Sequence, residues 1–186
     1  GLCGSFNTNL LTICENLLKE KADQGIEARL ICMGKKGRDY FRRRKQTIAG
    51  EYLGVVGARF GFNVAVNAGR GLMDGFLEGE ADEVHMIFSE FVSMARQTPT
   101  VQQLLPIPSV EKAEEAGEKA DTGYVAEHIC EPSVEELMAE MLPKQVYVQL
   151  YKGLLETSTS EHAARMAAMD NATKNCKEMV ESLTLA

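Results

Sequence analysis

The glycines in "GRGLMDG" have the spacing closest to a reaction chemistry. Gly69-x-Gly71-x-x-x-Gly75 approaches the pattern of a dinucleotide loop, where missing Cβ atoms let backbone and helix close on a pyrophosphate. Glu90 follows Gly71 at about the distance where an acid would hold a ribose hydroxyl. The third glycine is one residue late, and "NAGRG" offers no clean strand-to-helix break before it. The competing reading is a glycine-rich amphipathic helix with its small residues against a sheet, and the sequence favours it. A dinucleotide-binding oxidoreductase domain is the alternative. "GLCGSFNTN" has a phosphate-loop look but lacks the Lys-Ser/Thr pair that such a loop needs, so a structural turn is expected.

Other reactive side chains are dispersed. His85, His128 and His162 stand one to a segment, with no H-x-x-x-H pair. Ser160 and His162 are two apart, on different sides of a helix, and cannot act as nucleophile and base. The five cysteines, Cys3, Cys14, Cys32, Cys130 and Cys176, are odd in number and never closely paired. That spacing suits free thiols, not a disulfide framework or a zinc site. No catalytic residue, metal or cofactor is expected.

Charge is concentrated. The chain of 186 residues carries a net charge of −7. Between Lys35 and Lys45, seven basic residues and one acid give +6 and leave −13 on the remainder. The cations are Lys35, Lys36, Arg38, Arg42, Arg43, Arg44 and Lys45, with Tyr40 and Phe41 among them. A solvated helix face is one reading of the run; a surface for an acidic partner or lipid headgroups is the other. Nucleic-acid binding is conceivable for the run, but the acidic remainder argues against it.

Length and composition, with 45% hydrophobic and 25% charged residues, fit one globular domain with an appendage. No apolar run approaches the ~20 residues of a membrane span. Asn7 to Gln24 has helical spacing, with Thr8 or Asn9 as cap and Gly25 as stop. "EARLICMG" reads as a buried strand and "TIAGEYLGVVG" as strand or irregular. "NVAVNAGRGLMDGFLEGEA" reads as helix, although each glycine costs ~1 kcal/mol there. "DEVHMIFSEFVS", "PTVQQLLPIP" and "YVAEHICEP" read as strands, and "SVEKAEEAGEKADTG" as an exposed loop. Ser133 and Glu136 have capping-box spacing. From Pro143 the helical pattern runs on to the C-terminus, long enough for a coiled coil or rod. Alternating strands and helices before it give an α/β sandwich.

Within that helix Met166, Met169, Thr173, Cys176, Val180 and Leu183 recur at three- and four-residue steps, the seam of a coiled coil. Leu155 and His162 keep the register. Ala164, Ala168 and Ala172 form a second stripe beside it. An amphipathic helix lying on its own sheet is the competing reading for the first half; for the second half no other segment offers a matching long heptad, so the seam's partner is expected outside this chain.

"GLCGSFNTNL" and "LLETSTSEHAARMAAMDNATKNCKEMVESLTL" resemble the two signatures of the gamma subunit of the rotary F-type ATP synthase. "GKKGRDYF", "DEVHMIFSEFVS", "QLLPI" and "EPSVEELM" lie between them in that family's order, so the resemblance covers essentially the whole chain. It implies an α/β, Rossmann-like domain that binds no nucleotide, with a long C-terminal helix that is half of an antiparallel coiled coil. Residues 1–142 would be the foot, lacking its first strand, and residues 143–186 the lower shaft. The implied job is a central-stalk rotor that couples rotation of a proton- or sodium-driven ring to conformational change at catalytic beta subunits. The implied partners are the alpha, beta and epsilon subunits and the c-ring, with no nucleic acid and only peripheral membrane contact. The implied location is the cytoplasmic face of a bacterial inner membrane, or its organelle equivalent. Against the family pattern the long N-terminal helix is missing, so the chain is expected to be a piece of the subunit. The plant-type insertion with its close cysteine pair is absent, which disfavours thiol control. Met166, Met169 and Thr173 would face the second helix, and the side near His162 and Ala163 would rest on the foot.

Overall fold

The computed structural model describes residues 2–54, 60–108, 131 and 133–185. In chain order the described elements are α1 (Phe6–Asp23), β1 (Leu30–Met33), α2 (Lys35–Arg43), β2 (Ile48–Tyr52), α3 (Phe62–Leu77), β3 (Val84–Phe91), β4 (Gln97–Leu105) and α4 (Val134–Thr184). The fold is mixed α/β with small sheets and one very long helix. Two compact units divide it: Gly1–Phe60, Ile87–Thr100 and Gly153–Ala186 form the first, Gly61–Met86 and Val101–Lys152 the second. The strand expected over "YVAEHICEP" and the loop over "SVEKAEEAGEKADTG" lie almost wholly outside the described residues.

In the first unit, β1 and β2 pair in parallel, Ile31 opposite Gly50 and Met33 opposite Tyr52, with an irregularity after Leu30. A parallel pair needs a crossover, and α2 supplies it. Phe6, Cys14, Cys32, Phe41 and Phe88 are buried here, together with Leu154 and Ala163 from α4. Helix α1 begins at Phe6 with Ser5 at its N-cap and no side-chain capping bond, earlier than the Thr8 or Asn9 cap expected from sequence. Its end is as expected. Gly25 adopts φ +75°, Ile26 N–H donates to Lys21 C=O at 2.9 Å and Gly25 N–H to Ala22 C=O at 2.9 Å. That is a Schellman motif, which occupies carbonyls the helix end would leave bare.

Strands β3 and β4 pair with each other. Only residues 92–96 separate them, so they pair antiparallel as a hairpin. Ser93 holds the turn: its C=O and its Oγ each accept from Arg96 N–H at 3.1 Å.

In the second unit, α3 buries Ala65, Ala68 and Gly69, and Leu104, Leu105, Val146 and Leu150 are also buried. Helix α4 starts where Ser133 Oγ accepts from Glu136 N–H at 3.2 Å, one half of the expected capping box. It runs unbroken for 51 residues with Pro143 inside it. The proline ring removes one intrahelical donor there.

Candidate interaction surfaces

The glycine motif is a packing feature. Gly69 and Gly71 lie in the middle of α3, not at a strand-to-helix turn, and the N-cap of that helix is Gly61. A Cβ on Gly69 would stand 2.6 Å from Tyr147 Cδ1 and 3.2 Å from Leu150 Cδ1. The missing side chain makes room for the ring of α4, so the small face meets a helix and not the sheet expected from sequence. Backbone N–H groups in mid-helix are committed to the helix's own carbonyls and cannot cradle a phosphate. The dinucleotide alternative has no support.

The cationic run folds as α2 and the turn after it. Phe41 is its one buried residue. Three of the arginines have partners inside the first unit. Arg38 reaches Asp39 at 2.7 Å and Glu51 at 3.6 Å, and Arg42 reaches Glu51 at 3.1 Å. Arg44 pairs with Glu15 of α1 and lies 4.2 Å over the Tyr40 ring. Lys35, Lys36, Arg43 and Lys45 form no ion pair with a described residue.

Three of these four cations sit where the backbone disfavours them, while Arg43, in the last turn of α2, suits the dipole there. Lys35 and Lys36 open a helix with no acid in its first turn, against the positive end of the dipole. Lys45 has φ +57° at the αL position of another Schellman motif, closed by Gln46 N–H to Phe41 C=O and Lys45 N–H to Arg42 C=O, each 3.1 Å. Glycine is the usual residue there, as at Gly25 and Gly79 in this chain.

The six seam residues of α4 all face outward. Met166 is 59% exposed and Leu183 71%; Met169, Val180, Thr173 and Cys176 are exposed as well. Every described residue of α4 from Met169 onward is exposed. In the turns before it, the opposite side of the helix is covered. Ser160 is fully buried and Ala163 only 4% exposed. His162 is exposed, which fits the seam register it keeps in the sequence and not the packed side on which the sequence also set it beside Ala163. Two hydroxyls of the packed side were not picked out from sequence: Ser89 N–H of β3 donates to Thr157 Oγ1 at 3.3 Å, and Ser160 Oγ donates to Ser89 C=O at 3.2 Å.

Cys3, Cys14 and Cys32 are buried free thiols and Cys176 an exposed one; Cys130 lies outside the described residues. Burial, with a smaller push from Cys32, raises the Cys14 thiol to about 11. Burial and then Glu51 raise Cys32. Both are thereby kept protonated and poor as nucleophiles at neutral pH. Among the described residues no group of three or more His, Cys, Asp or Glu could hold a metal ion. No helix among them is long and apolar enough to cross a membrane.

The described residues form a mixed α/β fold whose long helix carries an exposed row of residues at heptad spacing. A family model described as ATP synthase matches residues 1–186, and the chain belongs to that family. Within it, the similar proteins are gamma chains. The ATP synthase gamma chain of Desulfosudis oleivorans is 57% identical over 186 residues, all of this chain and 62% of that protein. That of Desulforapulum autotrophicum is 53% identical, over 98% of this chain and 62% of its own length. The chain thus spans about three fifths of the curated relatives it matches. A chain from the central stalk and c-ring structure of Tetrahymena thermophila mitochondrial ATP synthase superposes with a TM-score of 0.68 at 22% identity, covering 93% of this chain and 71% of that one. A chain of the Euglena gracilis mitochondrial ATP synthase rotor gives 0.59 at 19% identity, covering 97% and 66%. At those identities the likeness is one of fold.

Proposed function

We propose that the chain is the foot and lower shaft of a central-stalk rotor, the part of an ATP synthase that couples ring rotation to conformational change at the catalytic beta subunits. The observation that carries this reading is the seam. Met166, Met169, Thr173, Cys176, Val180 and Leu183 have coiled-coil spacing, and all are bare on a helix whose opposite side is packed only before Met169. A face built for burial implies a second helix, which the longer relatives have room to supply. In this reading residues 1–142 are the foot and residues 143–186 the shaft.

The chain supplies no catalytic residue of its own and needs no cofactor. Its partners are the alpha, beta and epsilon subunits and the c-ring, and its membrane contact is peripheral, at the cytoplasmic face of a bacterial inner membrane. The basic run Lys35–Lys45 faces the ring or lipid headgroups. Lys35, Lys36, Arg43 and Lys45 are the cations free for this role, because Arg38, Arg42 and Arg44 are held by Asp39, Glu51 and Glu15. The test is co-purification. The intact polypeptide, tagged in its own cells, should bring down alpha and beta subunits in stoichiometric amounts. A tagged polypeptide recovered without them refutes the rotor reading.

A further inference from the structure

We propose that Thr157 and Ser160 are positioning residues that clasp Ser89 and set the angle at which the shaft helix is turned about its own axis. The inference rests on the rotor reading. In an antiparallel ladder, a hydrogen-bonded residue exchanges both its N–H and its C=O with the residue opposite. At Ser89 a helix takes the place of that neighbouring strand. Thr157 Oγ1 accepts from Ser89 N–H at 3.3 Å, and Ser160 Oγ donates to Ser89 C=O at 3.2 Å. The two hydroxyls are three residues apart, hence neighbours on one helix face. Ser89 is 1% and Ser160 0% exposed, so water has no ready access to the bond between them, while the bond to half-buried Thr157 is more open.

The direction of the clasp gives it a role. At about 100° per residue, Thr157, Ser160, Ala164, Ala167 and Asn171 centre on one direction around α4. Leu155, His162, Met166, Met169, Thr173, Cys176, Val180 and Leu183 centre roughly 180° away. The clasp therefore lies diametrically behind the seam. Its neighbours Ala163, Ala164, Ala167 and Ala168 are too short to interlock with the body and leave a helix free to roll against it. The two hydrogen bonds are directional and fix both roll and axial register. The clasp thus holds the seam pointing outward, and a shaft that must carry torque cannot roll in its seat without losing coupling.

The experiment uses the full-length subunit assembled in its own membranes. The variants are Thr157→Val and Ser160→Ala, singly and together, which keep volume and remove the hydroxyls. Thr157→Ser keeps the hydroxyl and serves as the conservative control. Amide exchange at Ser89 should rise about fivefold for Thr157→Val, which removes the acceptor of that N–H, and more for the pair, while Ser160→Ala frees the Ser89 C=O and is read by pumping per ATP. Ion pumping per ATP hydrolysed should fall in the double variant with hydrolysis itself unchanged, and Thr157→Ser should match wild type in both readouts. Unchanged exchange at Ser89 overturns the clasp; raised exchange with unchanged pumping per ATP overturns its positioning role. Should the double variant fail to fold, the single variants decide by the same two readouts. A wild-type chain absent from the assembled complex defeats the rotor reading instead, and exchange at Ser89 still tests the hydrogen bonds.

Discussion

Replacing Gly69 by alanine separates the packing account of the glycine motif from any loop account. Any Gly→Ala change inside a helix gains about 0.8–1 kcal/mol from propensity. At Gly69 the new Cβ would lie 2.6 Å and 2.9 Å from Cδ1 and Cε1 of Tyr147, and 3.2 Å from Leu150 Cδ1. Contacts under 3 Å against a ring cannot be relieved by swinging a flexible chain end, so helix or ring must move. Overpacking of this kind costs about 1–3 kcal/mol. The net expectation for Gly69→Ala is a loss of up to about 2 kcal/mol. Gly71 is the internal control. It lies in the same helix, is exposed, and has nothing within 4 Å of its would-be Cβ. Gly71→Ala should therefore stabilise by about 0.5–1 kcal/mol. Urea denaturation of the intact subunit, read as a shift in midpoint at constant slope, measures both. The difference between the two variants isolates the clash, because propensity cancels. In a double-mutant cycle, Tyr147→Leu should remove most of the Gly69→Ala penalty. If both alanines stabilise alike, the close approach of α3 to Tyr147 is wrong.

Further outcomes follow from the charges, thiols and seam. Lys35→Glu, Lys36→Glu and Arg43→Glu together should leave the fold about as stable, since acids at 35 and 36 suit the start of α2 and offset the acid that Arg43→Glu places in its last turn. The same triple change should weaken salt-sensitive association of the rotor with its membrane sector, and unchanged association at low salt would reject the basic surface. Arg42→Glu, by contrast, puts a carboxylate beside Glu51 and should lower stability, checked by thermal unfolding. A thiol reagent should modify Cys176 at once and Cys3, Cys14 and Cys32 only on opening, which mass spectrometry resolves. Cys14 binds its proton more tightly folded, with a pKa of about 11 against the ordinary 9.0. Its contribution is whole below pH 9 and is lost as pH rises towards 11. Allowing for solvent at the rim of its site, that loss is about 1–2 kcal/mol. Cys14→Ala should flatten the decline, and an identical slope in wild type and variant would count against the buried thiol. In the full-length subunit, Met169→Glu with Val180→Glu should impair assembly with alpha and beta subunits without changing the helicity of the isolated chain. Normal assembly would show that the seam has no partner helix.

What the sequence disclosed and what it hid divide along one physical line. Features set by neighbours within about one helical turn were legible: the span of α1, its stop at Gly25, the Ser133 cap, and α3 despite its glycines. Features set by distant residues were not. "GRGLMDG" contains nothing that announces Tyr147, 78 residues beyond Gly69, yet that ring decides why Gly69 has no side chain. The basic run displays seven cations, but the acids that hold three of its arginines include Glu15 and Glu51, outside the run on α1 and β2. Ser160 looked like one more polar residue in "SEHAARMAAMD", because burial of a hydroxyl depends on who receives its hydrogen bond, and the receiver is a backbone carbonyl on β3. The heptad spacing of Met166 to Leu183 is of another kind, being a property of the sequence alone. Its own periodicity encodes a partner, and that pattern survives whether or not the partner is present. The alanine stripe has no such signature, since small residues suit a close helix, a strand or a ligand equally well. Only the hydroxyls among those alanines distinguish the cases, because a hydrogen bond has a direction and a methyl contact does not. Here they point at Ser89, so this side of α4 packs on β3 while the side of Met166 and Met169 stays bare.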